Sequence, residues 1–96
     1  MNENTSDLGW NEYAKELGLR LQKARQEAGL SQEKVAHAAG ISTYTYRKLE
    51  HGLSNPGSPA NPRLRTLVAL ATILQVPILE IVGEKYPDIT EGRPSI

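Results

Sequence analysis

The sequence predicts an all-α fold, a bundle of five helices, from three observations. Apolar residues recur every three or four positions through most of the chain, the spacing that lines one face of a helix. These stretches are bounded by residues that start or stop helices: Ser31 and Ser42 ahead of two, Gly29, Gly40 and Gly52 behind three, and Pro62 and Pro77 ahead of the last two. The chain has no Phe and no Cys, so its core must come from Leu, Ile, Val and Ala, which suits small side chains packed between helices.

Residues 1–11 are expected to form a flexible arm with Trp10 as an anchor, and the folded domain spans 12–83. The first helix runs from about Glu12 to Ala28, with Ala14, Leu17, Leu21, Ala24 and Ala28 on its apolar face. Gly29 ends it. Ser31 then caps a second helix by accepting a hydrogen bond from a free backbone N–H, although Lys34 stands where a capping box needs Glu or Gln. Val35, Ala36 and Ala39 recur at helical spacing, and Gly40 closes the helix in a left-handed conformation that glycine adopts without strain. Ile41 is expected as a buried plug and Ser42 as the next cap. The third helix covers 43–51, with Tyr46 and Leu49 three apart on its inner face. A strand is the rival reading, because Thr43-Tyr44-Thr45-Tyr46 alternates β-branched and aromatic residues. The cap before it and the good helix formers of Arg-Lys-Leu-Glu after it favour helix. The stretch 53–62 is a loop with three prolines, and Asn-Pro occurs in it twice, at 55–56 and 61–62. A fourth helix follows with Leu64, Leu67, Leu70, Ala71 and Leu74 inward, and Pro77 breaks it and opens a short fifth helix, Ile78 to Val82. Residues 84–96 have two prolines and no periodicity, and are expected to be a flexible tail.

Composition excludes several function classes. Without cysteine there is neither a disulfide framework nor thiolate chemistry, and His37 and His51 are too few and too isolated for a metal cluster, so no cofactor or metal is expected. No apolar run approaches the ~18 residues of a membrane span, and the acidic, polar start MNENTSDLGW is unlike a signal peptide, so a cytoplasmic location is expected. No Gly-rich phosphate loop and no Ser, His and Asp arrangement supports an enzyme. Glu16 and Glu27 lie about three helical turns apart, too far for an acid/base pair.

The formal net charge is zero, but it is unevenly spread. Residues 15–65 hold nine basic and four acidic side chains, for +5, against −3 before them and −2 after. Phosphates respond to such a local excess rather than to the total. The run Gly29 to Gly52 therefore combines a basic segment with two short helices joined by a tight turn and polar residues on the outer face of the second. That is the helix-turn-helix layout, in which the second helix enters the DNA major groove.

LGLRLQKARQEAGLSQEKVA, AGIS, YRKLEHG, NPRLRTLVALATIL and VPILEIV together resemble the Cro/C1-type (XRE) helix-turn-helix family over roughly residues 16–83. The resemblance implies a lambda-repressor-like bundle and double-stranded DNA as partner. It implies that Thr43, Tyr44, Arg47 and Lys48 read bases, and that Gln32, with Ser42 and His51, binds phosphates. Arg25 and Glu50 match a buried salt bridge between the first and third helices, and Ile41, Tyr46 and Leu49 match core contacts. Arg63 and Arg65 are further candidates for backbone contacts. The chain departs from the family pattern in three ways. The loop after the third helix is about half a dozen residues longer than usual, Tyr46 replaces an aliphatic core residue, and Leu19 and Leu79 stand where polar residues are common.

One helix reads too few base pairs for a genome, so a homodimer on a palindrome is expected, with Ile73, Ile78, Leu79 and Val82 as its interface and Leu19 with Trp10 as a second patch. The functional expectation is a sequence-specific transcriptional regulator, a repressor. The alternative is a protein-interaction module, such as an antitoxin or anti-repressor, acting through a protein partner.

Overall fold

Helix α1 (Trp10–Glu27) starts two residues earlier than its apolar periodicity predicts, and the reason is tertiary. In the computed structural model, which describes residues 5–6, 9–54 and 57–91, the Trp10 indole N–H donates to the Ala60 carbonyl at 3.0 Å. The Tyr13 hydroxyl donates to the Val82 carbonyl at 2.6 Å. Arg20 Nη1 also reaches that carbonyl, at 3.4 Å. The first two turns of α1 thus tie down the long loop on one side and the end of the last helix on the other. Trp10 and Asn11, expected in the arm, belong to the helix.

The remaining helices are α2 (Gln32–Ala39), α3 (Thr43–Glu50), α4 (Leu64–Leu74) and α5 (Ile78–Val82). Both predicted caps form: Ser31 Oγ accepts from the Lys34 N–H at 3.1 Å, and Ser42 Oγ from the Thr45 N–H at 3.0 Å. The exits are uniform. After α2, the Gly40 N–H bonds the His37 carbonyl and the Ile41 N–H bonds the Ala36 carbonyl, the paired bonds of a Schellman motif. The same pairing closes α1, α3 and α4. Glycine takes the left-handed position after the first three helices, but Gln75 takes it after α4, at φ 57°. Pro77 precedes α5 as its N-cap residue rather than lying in its first turn.

The core is a contiguous cluster of Ala14, Leu17, Leu21, Val35, Ala36, Tyr46, Leu49, Leu70, Leu74 and Ile81, joined by Ala60 from the loop. Helix α2 packs on α3 and α4, and α1 on α3 and α5. Two residues expected inside are not. Ala28 lies in the exposed exit of α1. Leu64 is 70% exposed, because the inner stripe of α4 begins one turn later, with Leu67 half-buried and Leu70, Ala71 and Leu74 buried. Ile41, expected as a buried plug, is half-buried and packs against the core.

Helices α1 and α3 touch through backbone. A Cβ on Gly18 would overlap the Glu50 carbonyl oxygen and lie 2.7 Å from the Leu49 carbonyl oxygen. Gly52 approaches the backbone of Ala14 and Lys15 in the same way. The loop folds back on itself: Ser54 N–H bonds the Ser58 carbonyl and Ala60 N–H bonds the Gly52 carbonyl, both at 2.8 Å. The first Asn-Pro pair lies outside the described residues. Residues 84–91, expected in the flexible tail, include β2 (Tyr86–Pro87), which pairs in parallel with β1 (Thr5–Ser6), Thr5 opposite Tyr86 and Ser6 opposite Pro87. This two-residue ladder leaves the fold all-α. The other positions of the predicted arm and tail, 1–4, 7–8 and 92–96, lie outside the described residues.

Candidate nucleic-acid interface

Helix α3 presents Tyr44, Arg47, Lys48 and His51 along one outer stripe, at the spacing that stacks side chains on one helix face. Tyr44, Arg47 and His51 are exposed, and Lys48 and Thr43 are half-buried. The Lys48 ammonium sits over the Tyr44 ring, 5.2 Å from its centroid. This contact orders two side chains that would otherwise sample many rotamers. Ser42, at the helix entrance, spends its hydroxyl within the fold: it accepts from the Thr45 N–H and donates to Thr45 Oγ1 at 2.8 Å.

Behind the stripe runs a polar chain that starts in the core. Arg25 and Glu50 form a bidentate pair, Nε to Oε2 at 2.6 Å and Nη2 to Oε1 at 3.1 Å, with Glu50 buried. Arg25 Nη1 also donates to the Leu30 carbonyl at 3.1 Å, which joins α1, the first turn and α3. Burial pushes the Glu50 carboxyl up, but its interactions with Arg25, then Tyr46 and Gln32, together with the charge of Arg25, outweigh it and hold the group below the ordinary carboxylate range. Gln32 Nε2 donates to Glu50 Oε1 at 2.9 Å, and Gln32 Oε1 accepts from Arg47 Nε at 3.2 Å. Both ends of the Gln32 amide are thereby engaged, its NH2 by Glu50 and its oxygen by Arg47. Arg47 keeps its two terminal nitrogens for a partner.

Tyr46 lies at the inner edge of this chain. Its ring fills the centre of the core, and its hydroxyl is enclosed without a partner at hydrogen-bond geometry. Glu50 and Arg25 act on it electrostatically, and burial together with the Glu50 carboxylate raises the phenol well above its usual value.

Two hollows flank α3. One, of about 340 Å³, has a floor that includes Ile41, Leu49 and Leu53, and brings Thr45, Lys48 and Arg63 to its wall. Arg63 thus shares a hollow with α3. The other, of about 280 Å³, lies between Lys15, Leu19, Gln22, Gln32, Glu50 and His51. Sequence reasoning passed over Thr45, Lys15 and Gln22. Thr45 stands in the run already singled out, but nothing in the order of residues relates Lys15 to His51.

The four predicted interface residues differ in exposure. Leu79 is 49% exposed, whereas Ile73, Ile78 and Val82 are half-buried against the chain's own core. Leu19 and Trp10 are not brought together. Nine residues apart on α1, they fall on roughly opposite sides of the helix. Trp10 is engaged by Ala60 and by Tyr13, whose ring centroid is 5.3 Å away. Among the described residues no helix is long and apolar enough to cross a membrane.

Residues 16–81 match a family model described as a helix-turn-helix domain. The chain is similar to the cryptic phage CTXphi transcriptional repressor RstR of Vibrio cholerae, with 33% identity over 76 residues, 79% of this chain and 63% of that protein. The chain therefore spans less than two thirds of this relative. The crystal structure of the restriction-modification controller protein C.AhdI from Aeromonas hydrophila is similar with a TM-score of 0.61 and 30% identity, covering 73% of this chain and 96% of that one. The fold is also that of the clp gene regulator ClgR from Corynebacterium glutamicum, with a TM-score of 0.64 at 19% identity, covering 82% of this chain and 74% of that one. With its caps, turn and buried Arg–Glu pair in the positions set out above, the chain belongs to the helix-turn-helix family, in its Cro/C1 (XRE) branch.

Proposed function

We propose that this chain is a sequence-specific transcriptional repressor that binds a palindromic DNA operator as a homodimer. The observation that carries the reading is the outer stripe of α3, where Tyr44, Arg47 and Lys48 stand out from a family-typical helix pair. Thr43, Tyr44, Arg47 and Lys48 read base edges in the major groove, and Arg47 is the natural reader of guanine. His51 contacts a phosphate beside them, where the α2 N-terminus adds its own attraction for anions, whereas the Ser42 hydroxyl has already donated its proton to Thr45. The likeness to a phage repressor supports repression over activation. Two copies joined through Leu79 and its neighbours Ile73, Ile78 and Val82 read half-sites ~34 Å apart. The place of action is the cytoplasm.

Selection from random DNA duplexes, followed by competition binding, tests the reading. A repressor prefers its selected site over bulk DNA by orders of magnitude. Weak binding that salt erases without preference would overturn it and favour a module acting through a protein partner. On the selected site, Arg47→Ala costs about 1–3 kcal/mol and relaxes specificity at one base step.

A further inference from the structure

Gln32 is held in one amide orientation by a group buried beneath it. Glu50, as a carboxylate paired with Arg25, can only accept hydrogen bonds. The Gln32 NH2 must therefore face inward, at 2.9 Å from Glu50 Oε1. Its carbonyl oxygen is turned outward, where it accepts from Arg47 Nε at 3.2 Å. The usual ambiguity between amide oxygen and nitrogen is thus resolved by chemistry: the flipped amide would set its oxygen against a carboxylate oxygen and its NH2 against a guanidinium.

An outward-facing acceptor suits an arginine and repels a phosphate. Arg47 is exposed and carries a long, flexible side chain. Anchoring Nε fixes the plane of the guanidinium while leaving both terminal nitrogens free to address a base edge in parallel. That fork geometry gives arginine its selectivity for guanine, and it is lost when the plane can rotate. The anchor is itself rigid, because it ends on a bidentate pair between α1 and α3.

We infer that Gln32 is a positioning residue for base recognition: it orients the Arg47 guanidinium, and its main contribution to operator binding passes through Arg47 rather than through a phosphate. The inference rests on the proposed operator-binding function and assigns to Gln32 a specificity role.

The test uses the full chain and the selected duplex, with single-base variants of it. Gln32→Met retains the length of the side chain and removes both hydrogen bonds. Affinity is measured for wild type, Gln32→Met, Arg47→Ala and the double variant, each at several salt concentrations. Gln32→Met is expected to lower affinity for the best site about tenfold while changing affinity for duplexes altered at the Arg47 step by no more than about twofold. The double variant should bind like Arg47→Ala alone, and Gln32→Met should leave the salt slope at its wild-type value. A uniform loss over all duplexes with a shallower salt slope, additive with Arg47→Ala, would make Gln32 a phosphate contact and overturn the inference. A uniform loss in Arg47→Ala itself would overturn it as well. If wild type selects no site at all, the proposed function fails rather than the role of Gln32 within it.

Discussion

Gly18 is the position where a single methyl group should do the most damage. Alanine there has a local advantage, since replacing a mid-helix glycine gains up to about 1 kcal/mol of helix propensity. The neighbourhood opposes it. The new Cβ would lie 2.7 Å from the Leu49 carbonyl oxygen and 2.7 Å from the Glu50 carbonyl carbon, where ordinary contact begins at 3.4 Å. The shortfall at these two atoms is 0.7 Å, the Glu50 carbonyl oxygen is met more closely still, and every atom met is backbone, so no rotamer change relieves it. Helices α1 and α3 must part, stretching the Arg25–Glu50 pair and loosening Leu17 and Leu21 against Tyr46 and Leu49. Overpacking of this kind costs about 1–3 kcal/mol, and with backbone on both sides the upper end applies. After the propensity gain, the net loss is about 2 kcal/mol, which lowers Tm by roughly 8–16 °C in a domain of this size. Thermal unfolding followed by far-UV circular dichroism measures it. A variant melting at or above the wild-type temperature would show that the two helices separate freely and that the close approach is not a constraint.

Tyr46→Phe removes a buried hydroxyl without a partner and should raise stability by about 1 kcal/mol in denaturant titration; a loss of that size would mean that the hydroxyl bonds Glu50 after all. Glu50→Gln strands the Arg25 charge and should cost about 3–5 kcal/mol at neutral pH. Because the folded carboxyl is held below its ordinary 4.5, its contribution is present above that value and is lost as pH falls through the folded pKa. The Tm gap between wild type and Glu50→Gln should therefore narrow below about pH 4.5, and a gap constant into strong acid would refute the assignment. Leu79→Asp should convert the proposed dimer into a monomer in sedimentation velocity, whereas a variant that stays dimeric moves the interface elsewhere on the surface.

The parts of this fold that the sequence discloses are those decided by neighbours in the chain. Ser31, Ser42 and Gly40 act on backbone groups two to five residues away, so their roles are visible in order and spacing alone. The outer stripe of α3 follows from helical periodicity once the helix is placed. The Arg25–Glu50 pair came from family resemblance, because two opposite charges twenty-five positions apart carry no local signal. The features that escaped are through-space contacts. Gly18 looks like a weak point of a helix until α3 is laid across it. Trp10 and Tyr13 extend α1 only because Ala60 and Val82 offer them carbonyls. Leu64 continues the apolar spacing of α4 and yet faces outward, since periodicity says which residues share a face but not where the neighbouring helices end. The orientation of Gln32 depends on the charge state of a residue eighteen positions away.

Trp10 is the chain's single tryptophan, and its indole N–H is bonded to a carbonyl of the loop that leaves α3. The molecule therefore contains a native fluorophore wired to the segment next to the outer stripe of α3. Its emission depends on whether the indole stays against Ala60 and Tyr13 or meets water, so the wavelength of that emission reports loop docking directly. Binding events on α3 that reach the loop become visible as a spectral shift without any attached dye. Those confined to the helix leave the spectrum unchanged.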